Sequence, residues 1–315
     1  MSIRYKEYVD LKGEKKRLIE RVQDGSIIVR FDKTPNPKHK NDVVCPHFLE
    51  LKWGYGCPYS CAWCYLQGTY RWPQFKKHGS NIDPVIKNEK KIEKHLKIIS
   101  QNGHKEILNA GELADSLMLN WLPRFLLNTP LGGNKVLFVS KSDHVDFLVE
   151  NKERLKEKIV ISFTLNAVPV ADKWERGAPK VSKRIKAAEH VSEAGYTVRI
   201  RIDPMVPIHK WEDHYKQLID DIFEKFTPER ITLGSLRGLQ STINQARDKS
   251  WVTFMKEKSN WGKKIPIDTR LKLYSKIMNY LMSRYNYSHL AFCKETVEIW
   301  NRLGLDYKEI SCNCI

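Results

Sequence analysis

Three cysteines in one short stretch, Cys57, Cys61 and Cys64, constrain this chain more than any other feature. Their Cys-x3-Cys-x2-Cys spacing follows directly on a β-prone apolar run. Three thiolates this close bind three irons of a [4Fe–4S] cubane and leave the fourth iron without a protein ligand. That open iron can chelate the amino and carboxylate groups of S-adenosylmethionine. One-electron transfer to the sulfonium then cleaves a C–S bond and gives a 5′-deoxyadenosyl radical. Structural zinc is the competing reading, but it normally takes four ligands, and no close fourth His or Cys follows here.

The chain around this loop alternates. Apolar, β-branched runs predict strands near 48–54, 106–110, 135–140, 159–165, 197–202 and 230–234, with amphipathic helical stretches at 89–102, 180–194 and 212–226. In the first of these helices Ile92, Leu96 and Ile99 share one face. Pro179 suits a first helical position and Gly195 a helix end. Six βα units imply an α/β fold with a parallel sheet and right-handed crossovers, either open and doubly wound or curved into a partial barrel. Ligands then sit at the C-terminal ends of the strands. The expected organisation is a basic extension over 1–47, turn-rich around 32–42, the βα core over 48–240, and a helical, Cys-bearing extension over 241–315 with a helix near 269–283.

Charge bears on the partner. Fifty-four Lys and Arg against 37 Asp and Glu give +17, which favours a polyanion, most simply nucleic acid, over a merely solvated basic surface. No apolar run approaches the ~20 residues of a spanning helix, and the first residues are charged. A cytoplasmic protein that does not enter membranes is expected, where clustered thiols serve metals or catalysis rather than disulfides.

The loop spacing resembles the signature of the radical S-adenosylmethionine superfamily, whose usual core is a partial (β/α)6 barrel. The run CAWCYLQ at 61–67 is similar to the corresponding loop of spore photoproduct lyase and the DNA-repair photolyase-like group. Further blocks match in the same order. They are Phe138-Val139-Ser140-Lys141 with His144-Val145-Asp146, residues 161–166, Glu175-x-Gly177 leading to Arg184-Ile185-x-Ala187-Ala188, Ala194-Gly195-Tyr196, and Pro204 through Ile208 with Trp211, Glu212 and Tyr215.

This resemblance implies roles for individual residues. Cys57, Cys61 and Cys64 would hold the [4Fe–4S] cluster, and Tyr65 beside them would reach the adenine. Gly111-Glu112 stands where the superfamily binds the methionine ammonium of S-adenosylmethionine, a charge that a carboxylate suits. Lys141 would meet the methionine carboxylate, and Ser162, Asn166 and Arg199 or Arg201 would bond the ribose or methionine part. An external one-electron reductant such as flavodoxin or ferredoxin is implied as a partner.

The resemblance also breaks. The lyase returns hydrogen to its thymine product from a cysteine, through a tyrosine relay. Aligning 109–115 (NAGELAD) with its cysteine-bearing block puts Glu112 or a neighbour in that place, and no cysteine lies between Cys64 and Cys293. The relay position within the loop is Trp63. A carboxyl O–H is too strong a bond to replace a thiol S–H as hydrogen donor. Rearrangement of an already modified thymine in DNA is therefore expected ahead of dimer repair, with a peptide, a tRNA or a small metabolite as the alternative substrate class.

Four cysteines remain: Cys45, Cys293, Cys312 and Cys314. They equal the ligand count of a second [4Fe–4S] cluster, of a structural zinc, or of nothing if they are simply buried thiols. Two stretches, 70–77 (YRWPQFKK) and 256–264 (KEKSNWGKK), interleave aromatic and basic residues in the manner of a nucleic-acid contact or a packed connector.

Overall fold

A strand covered on both faces takes the form of an unbroken apolar run, and all seven residues of Ile159–Leu165 are buried. This strand lies inside the sheet of a computed structural model that describes residues 3–30, 36–69 and 82–315. Along the chain the strands are β1 (Ile3–Val9), β2 (Lys15–Val22), β3 (Ile27–Arg30), β4 (Phe48–Leu51), β5 (Gly54–Cys57), β6 (Ile82–Ile86), β7 (Ile107–Asn109), β8 (Lys135–Ser140), β9 (Ile159–Leu165), β10 (Thr197–Met205), β11 (Ile231–Ser235), β12 (Arg237–Gly238), β13 (Glu257–Ser259), β14 (Gly262–Lys264) and β15 (Leu290–Phe292). Among the described residues ten of them form one sheet in the order β1-β2-β3-β4-β7-β8-β9-β10-β11-β15.

From β4 to β15 every neighbouring pair in that sheet is parallel. The order rises along the chain without reversing, which separates the two architectures left open by the sequence. A doubly wound sheet reverses direction at a switch point. A run that always advances to the next position, with right-handed crossovers, keeps its helices on one face and curls as a barrel does. The fold is accordingly the α/β partial barrel. Its two margins come together, for Val43 bridges Thr296 and the Val44 amide donates to the carbonyl of Glu295 at 2.8 Å.

The helices follow from the sequence pattern. In Glu89–Gln101 the buried residues are Ile92, His95, Leu96, Ile98 and Ile99, and the Asn88 side chain caps its start by accepting from the amide of Lys91. Val181–Glu193, Trp211–Phe223 and Ile267–Tyr285 each bury one stripe in the same way. Phe138 and Phe163, from adjacent strands, are wholly buried in the core. Truncating either to alanine would cost about 3–5 kcal/mol.

Several expected elements are corrected. The predicted strand over 48–54 is two strands, because Lys52 and Trp53 break the ladder and β5 pairs antiparallel with β6 instead. Residues 3–30, for which no strands were predicted, form β1, β2 and β3, an antiparallel extension of the main sheet beside β4. A seventh parallel strand, β15, adds to the six expected. Short helices at Trp121–Asn128 and Val168–Trp174 were also not foreseen.

Candidate functional site

The three-cysteine loop begins on the last residue of β5. The Gly56 amide donates to the carbonyl of Leu113 at 2.9 Å, and Gly56 forms a parallel bridge with Ala114, so the loop starts against the segment that follows β7. Ser60 takes a left-handed φ of 48° where the chain turns back. Further on, the Cys64 amide donates to the Cys61 carbonyl at 3.0 Å, and Gln67 Nε2 donates to the carbonyls of Cys61 and Ala62.

The far side of the loop docks on the helix Val168–Trp174 and the turn after it. The Ala62 amide donates to the Trp174 carbonyl at 2.8 Å, and the rings of Trp63 and Trp174 lie 5.5 Å apart. Gly177 is required where that turn meets the loop, since a Cβ there would stand 2.4 Å from the carbonyl oxygen of Tyr59.

Cys57, Cys61 and Cys64 line one cavity of about 160 Å³, together with Gln67, Trp174 and Arg176. Among the described residues no three His, Cys, Asp or Glu side chains are placed to hold a single metal ion. Zinc would ask for sulfurs converging on one point, about 2.3 Å from each, whereas a cubane asks for sulfurs spread around a body of several atoms. Three thiols around a cavity fit the cubane. Burial raises all three thiols, Cys61 to about 12 and Cys57 well above its ordinary value, with Asp115 adding to the effect at Cys57. Iron binding would displace these protons.

Lys141 follows β8 and is mostly buried, with Nζ 3.8 Å from Glu175 Oε1. Burial opposes its charge, but Glu175 and Cys61 hold the ammonium above its ordinary range. Glu175 is wholly buried and also pairs with Arg184 Nη1 at 2.6 Å. Asp115 supports the same corner by accepting from Ser140 Oγ at 2.6 Å and from the Lys141 amide at 2.7 Å. Sequence reasoning did not single out Asp115, although it closes the NAGELAD block. Glu175 was visible there only as part of a matching block.

Gly111 and Glu112 follow β7. A Cβ on Gly111 would stand 2.3 Å from the Cβ of Val139, so β8 passes too close for any side chain. The Gly111 amide donates to Asn109 Oδ1, and Asn109 Nδ2 donates to Glu112 Oε1 at 3.3 Å. The Tyr65 hydroxyl donates to the backbone carbonyl of Glu112, and this joins the cluster loop to the segment after β7. Tyr65, Glu112, Lys141 and the three loop cysteines thus occupy one neighbourhood at the C-terminal ends of the first barrel strands.

Other expected residues have different surroundings. Ser162 is fully buried and accepts from Asn313 Nδ2 at 2.8 Å. Asn166 donates to the Pro204 carbonyl and accepts from the Tyr215 hydroxyl and the Ala167 amide, so its side chain is taken up in joining β9 to β10. Arg199 bonds Glu229 at 2.5 Å and two carbonyls of the closing segment. Arg201 donates to Cys314 Sγ at 3.1 Å. Stretch 70–77 lies outside the described residues. In stretch 256–264, Lys264 is buried against Glu295 and Trp261 stacks under Lys294.

A family model described as spore photoproduct lyase matches residues 44–249. The spore photoproduct lyase of Bacillus subtilis (strain 168) is 25% identical over 227 residues, which cover 66% of this chain and 63% of that protein. The chain therefore spans less than two thirds of this curated relative. A solved spore photoproduct lyase complexed with dinucleoside spore photoproduct superposes with a TM-score of 0.61 at 19% identity, covering 78% of this chain and 75% of the other. A variant of that lyase with bound AdoMet and dinucleoside spore photoproduct gives 0.59 at 19%, covering 84% and 78%. At these identities the structural likeness is one of fold.

Proposed function

The chain belongs to the spore photoproduct lyase family, and from that premise we propose that it is a radical S-adenosylmethionine enzyme acting on a thymine-derived base in DNA. The observation that carries this reading is the 160 Å³ cavity ringed by Cys57, Cys61 and Cys64. These three residues would hold a [4Fe–4S] cluster and leave one of its irons free for the cosubstrate. When bound and reduced by an external donor such as flavodoxin or ferredoxin, the cluster and S-adenosylmethionine supply a 5′-deoxyadenosyl radical.

The protein's own groups orient the cosubstrate. Glu112 offers a carboxylate to the methionine ammonium, and Asn109 fixes one of its oxygens. Lys141 brings a cation beside the cluster loop and is steered by Glu175 and by Asp115 behind it. Tyr65, held on the Glu112 carbonyl, borders the place the adenine would occupy. Ser162 and Asn166 then act through the packing of the barrel strands rather than by direct contact, because buried partners already take their polar atoms.

The substrate class rests on charge and on kinship. A formal +17 draws a polyanion, and the related lyase binds a dinucleoside photoproduct. A base within duplex DNA must be flipped out to meet a radical inside a barrel. Rearrangement of an already modified thymine is favoured over dimer repair, since the sequence resemblance puts Glu112 or a neighbour, and no cysteine, where the lyase keeps its hydrogen-donating thiol.

The test is 5′-deoxyadenosine formation by anaerobically reconstituted protein with S-adenosylmethionine and reductant. No substrate, plain DNA, DNA with modified thymine, and tRNA are compared. Stimulation by modified-thymine DNA alone is expected. Equal slow turnover in all four would remove DNA as the substrate.

A further inference from the structure

The four remaining cysteines come from three separate stretches, and the fold gathers them. Cys45 precedes β4, Cys293 follows β15, and Cys312 and Cys314 lie in the closing segment. Pairing of Val43 with Thr296 carries the Cys45 stretch to the Cys293 stretch. Asn313 pins the closing segment on three barrel strands. Its Nδ2 donates to Ser162 Oγ at 2.8 Å and to the Ile200 carbonyl at 2.9 Å, while its Oδ1 accepts from Thr232 Oγ1 at 2.8 Å. The neighbours of Asn313 are thereby held inside the curl of the sheet. The Cys312 and Cys314 thiols hydrogen-bond each other, Cys45 and Cys293 lie within electrostatic reach of Cys312, and Glu112 lies within reach of Cys314.

Charge makes this more than a set of buried thiols. Arg237 takes both oxygens of Asp203, at 2.8 and 2.9 Å, and also donates to Cys293 Sγ at 3.3 Å. Arg201 donates to Cys314 Sγ at 3.1 Å, and its Nε is buried with no hydrogen-bond partner. Nearby, Lys264 and Arg270 converge on Glu295, while Glu257 takes a second nitrogen of Arg270. Arg201 and Arg237 thus both donate to thiol sulfurs of this group, and a thiolate-ligated cubane, being an anion, accepts N–H···S bonds from such donors.

We propose that Cys45, Cys293, Cys312 and Cys314 ligate a second iron–sulfur cluster inside the barrel, with Arg201 and Arg237 as its charge-balancing hydrogen-bond donors. Ligation also removes these thiols as hydrogen donors for a substrate radical.

The site is tested apart from the first one. Protein carrying Cys57→Ala, Cys61→Ala and Cys64→Ala is reconstituted anaerobically with iron and sulfide and assayed for iron, sulfide, zinc and Mössbauer signature. It is expected to keep about four irons and four sulfides per chain, against about eight of each in the unaltered chain. The double variant Cys293→Ser and Cys314→Ser is expected to fall to about four while its reduced cluster still responds to S-adenosylmethionine. About four irons in the unaltered chain with none in the triple variant would overturn the proposal, as would one zinc without sulfide. The count on the unaltered chain needs no substitution to fold. Failure of the first-site reading would appear differently, as a triple variant that keeps its irons beside an unaltered chain that does not bind S-adenosylmethionine.

Discussion

The carboxylate of Asp115 accepts a hydrogen bond from the backbone amide of Lys141 at 2.7 Å and another from Ser140 Oγ at 2.6 Å. One buried side chain therefore ties the loop after β7 to the end of β8. The two ends carry Glu112 and Lys141, so their separation depends on Asp115. Asp115→Ala leaves the Lys141 amide and the Ser140 hydroxyl unpaired and lets Lys141 drift. A fall of roughly 10- to 100-fold in 5′-deoxyadenosine formation is expected, with the iron content of the first cluster retained. An unchanged rate would show that Lys141 needs no such support.

Glu112→Gln keeps the shape of the side chain and removes its charge. A hydrogen bond to a charged group contributes about 1.5–3 kcal/mol, or roughly 10- to 150-fold in affinity. Equilibrium dialysis of S-adenosylmethionine against the reconstituted variant is expected to show a loss in that range. Binding equal to that of the unaltered chain would mean that another group meets the ammonium.

Gly111→Ala asks for a methyl group 2.3 Å from the Cβ of Val139. The strain falls on two backbones rather than on a flexible side-chain end. A destabilisation of about 1–3 kcal/mol is expected, read as a lower thermal midpoint, together with weaker S-adenosylmethionine binding because Glu112 moves with its neighbour.

His95 gives a pH signature in the stability of the fold. It is buried on the helix Glu89–Gln101, where burial lowers it from 6.5 while Asp24, 3.6 Å away, partly opposes the shift. As pH falls below 6.5, the unfolded chain takes up a proton before the folded one does. Stability is then lost with falling pH through the depressed folded value. The thermal midpoint is expected to drop between pH 7.5 and 5.5, and His95→Gln is expected to shrink that drop.

Much of the site was legible because it depends on local spacing. The three cysteines sit within a single loop, and β8 and β9 run over the very residues the apolar pattern marks, so Lys141 falls at a strand end as expected. Relationships carried by long-range contacts were not legible. Nothing near Asp115 in sequence announces that it will cap the next strand. Asn313 reads as a tail residue until it is seen bonded to Ser162, Ile200 and Thr232. Strands β1 and β2 are rich in Lys, Arg and Glu, and a half-exposed antiparallel edge hides its period behind those charges.

The central claim is that a radical formed in this barrel takes hydrogen from a base in DNA. It is tested most directly with DNA whose modified thymine carries deuterium on the carbon attached at C5. The 5′-deoxyadenosine produced is then weighed by mass spectrometry. The account predicts deuterium in the 5′-deoxyadenosine formed in the presence of this DNA. Unlabelled 5′-deoxyadenosine, formed at the same rate with and without the DNA, would contradict it.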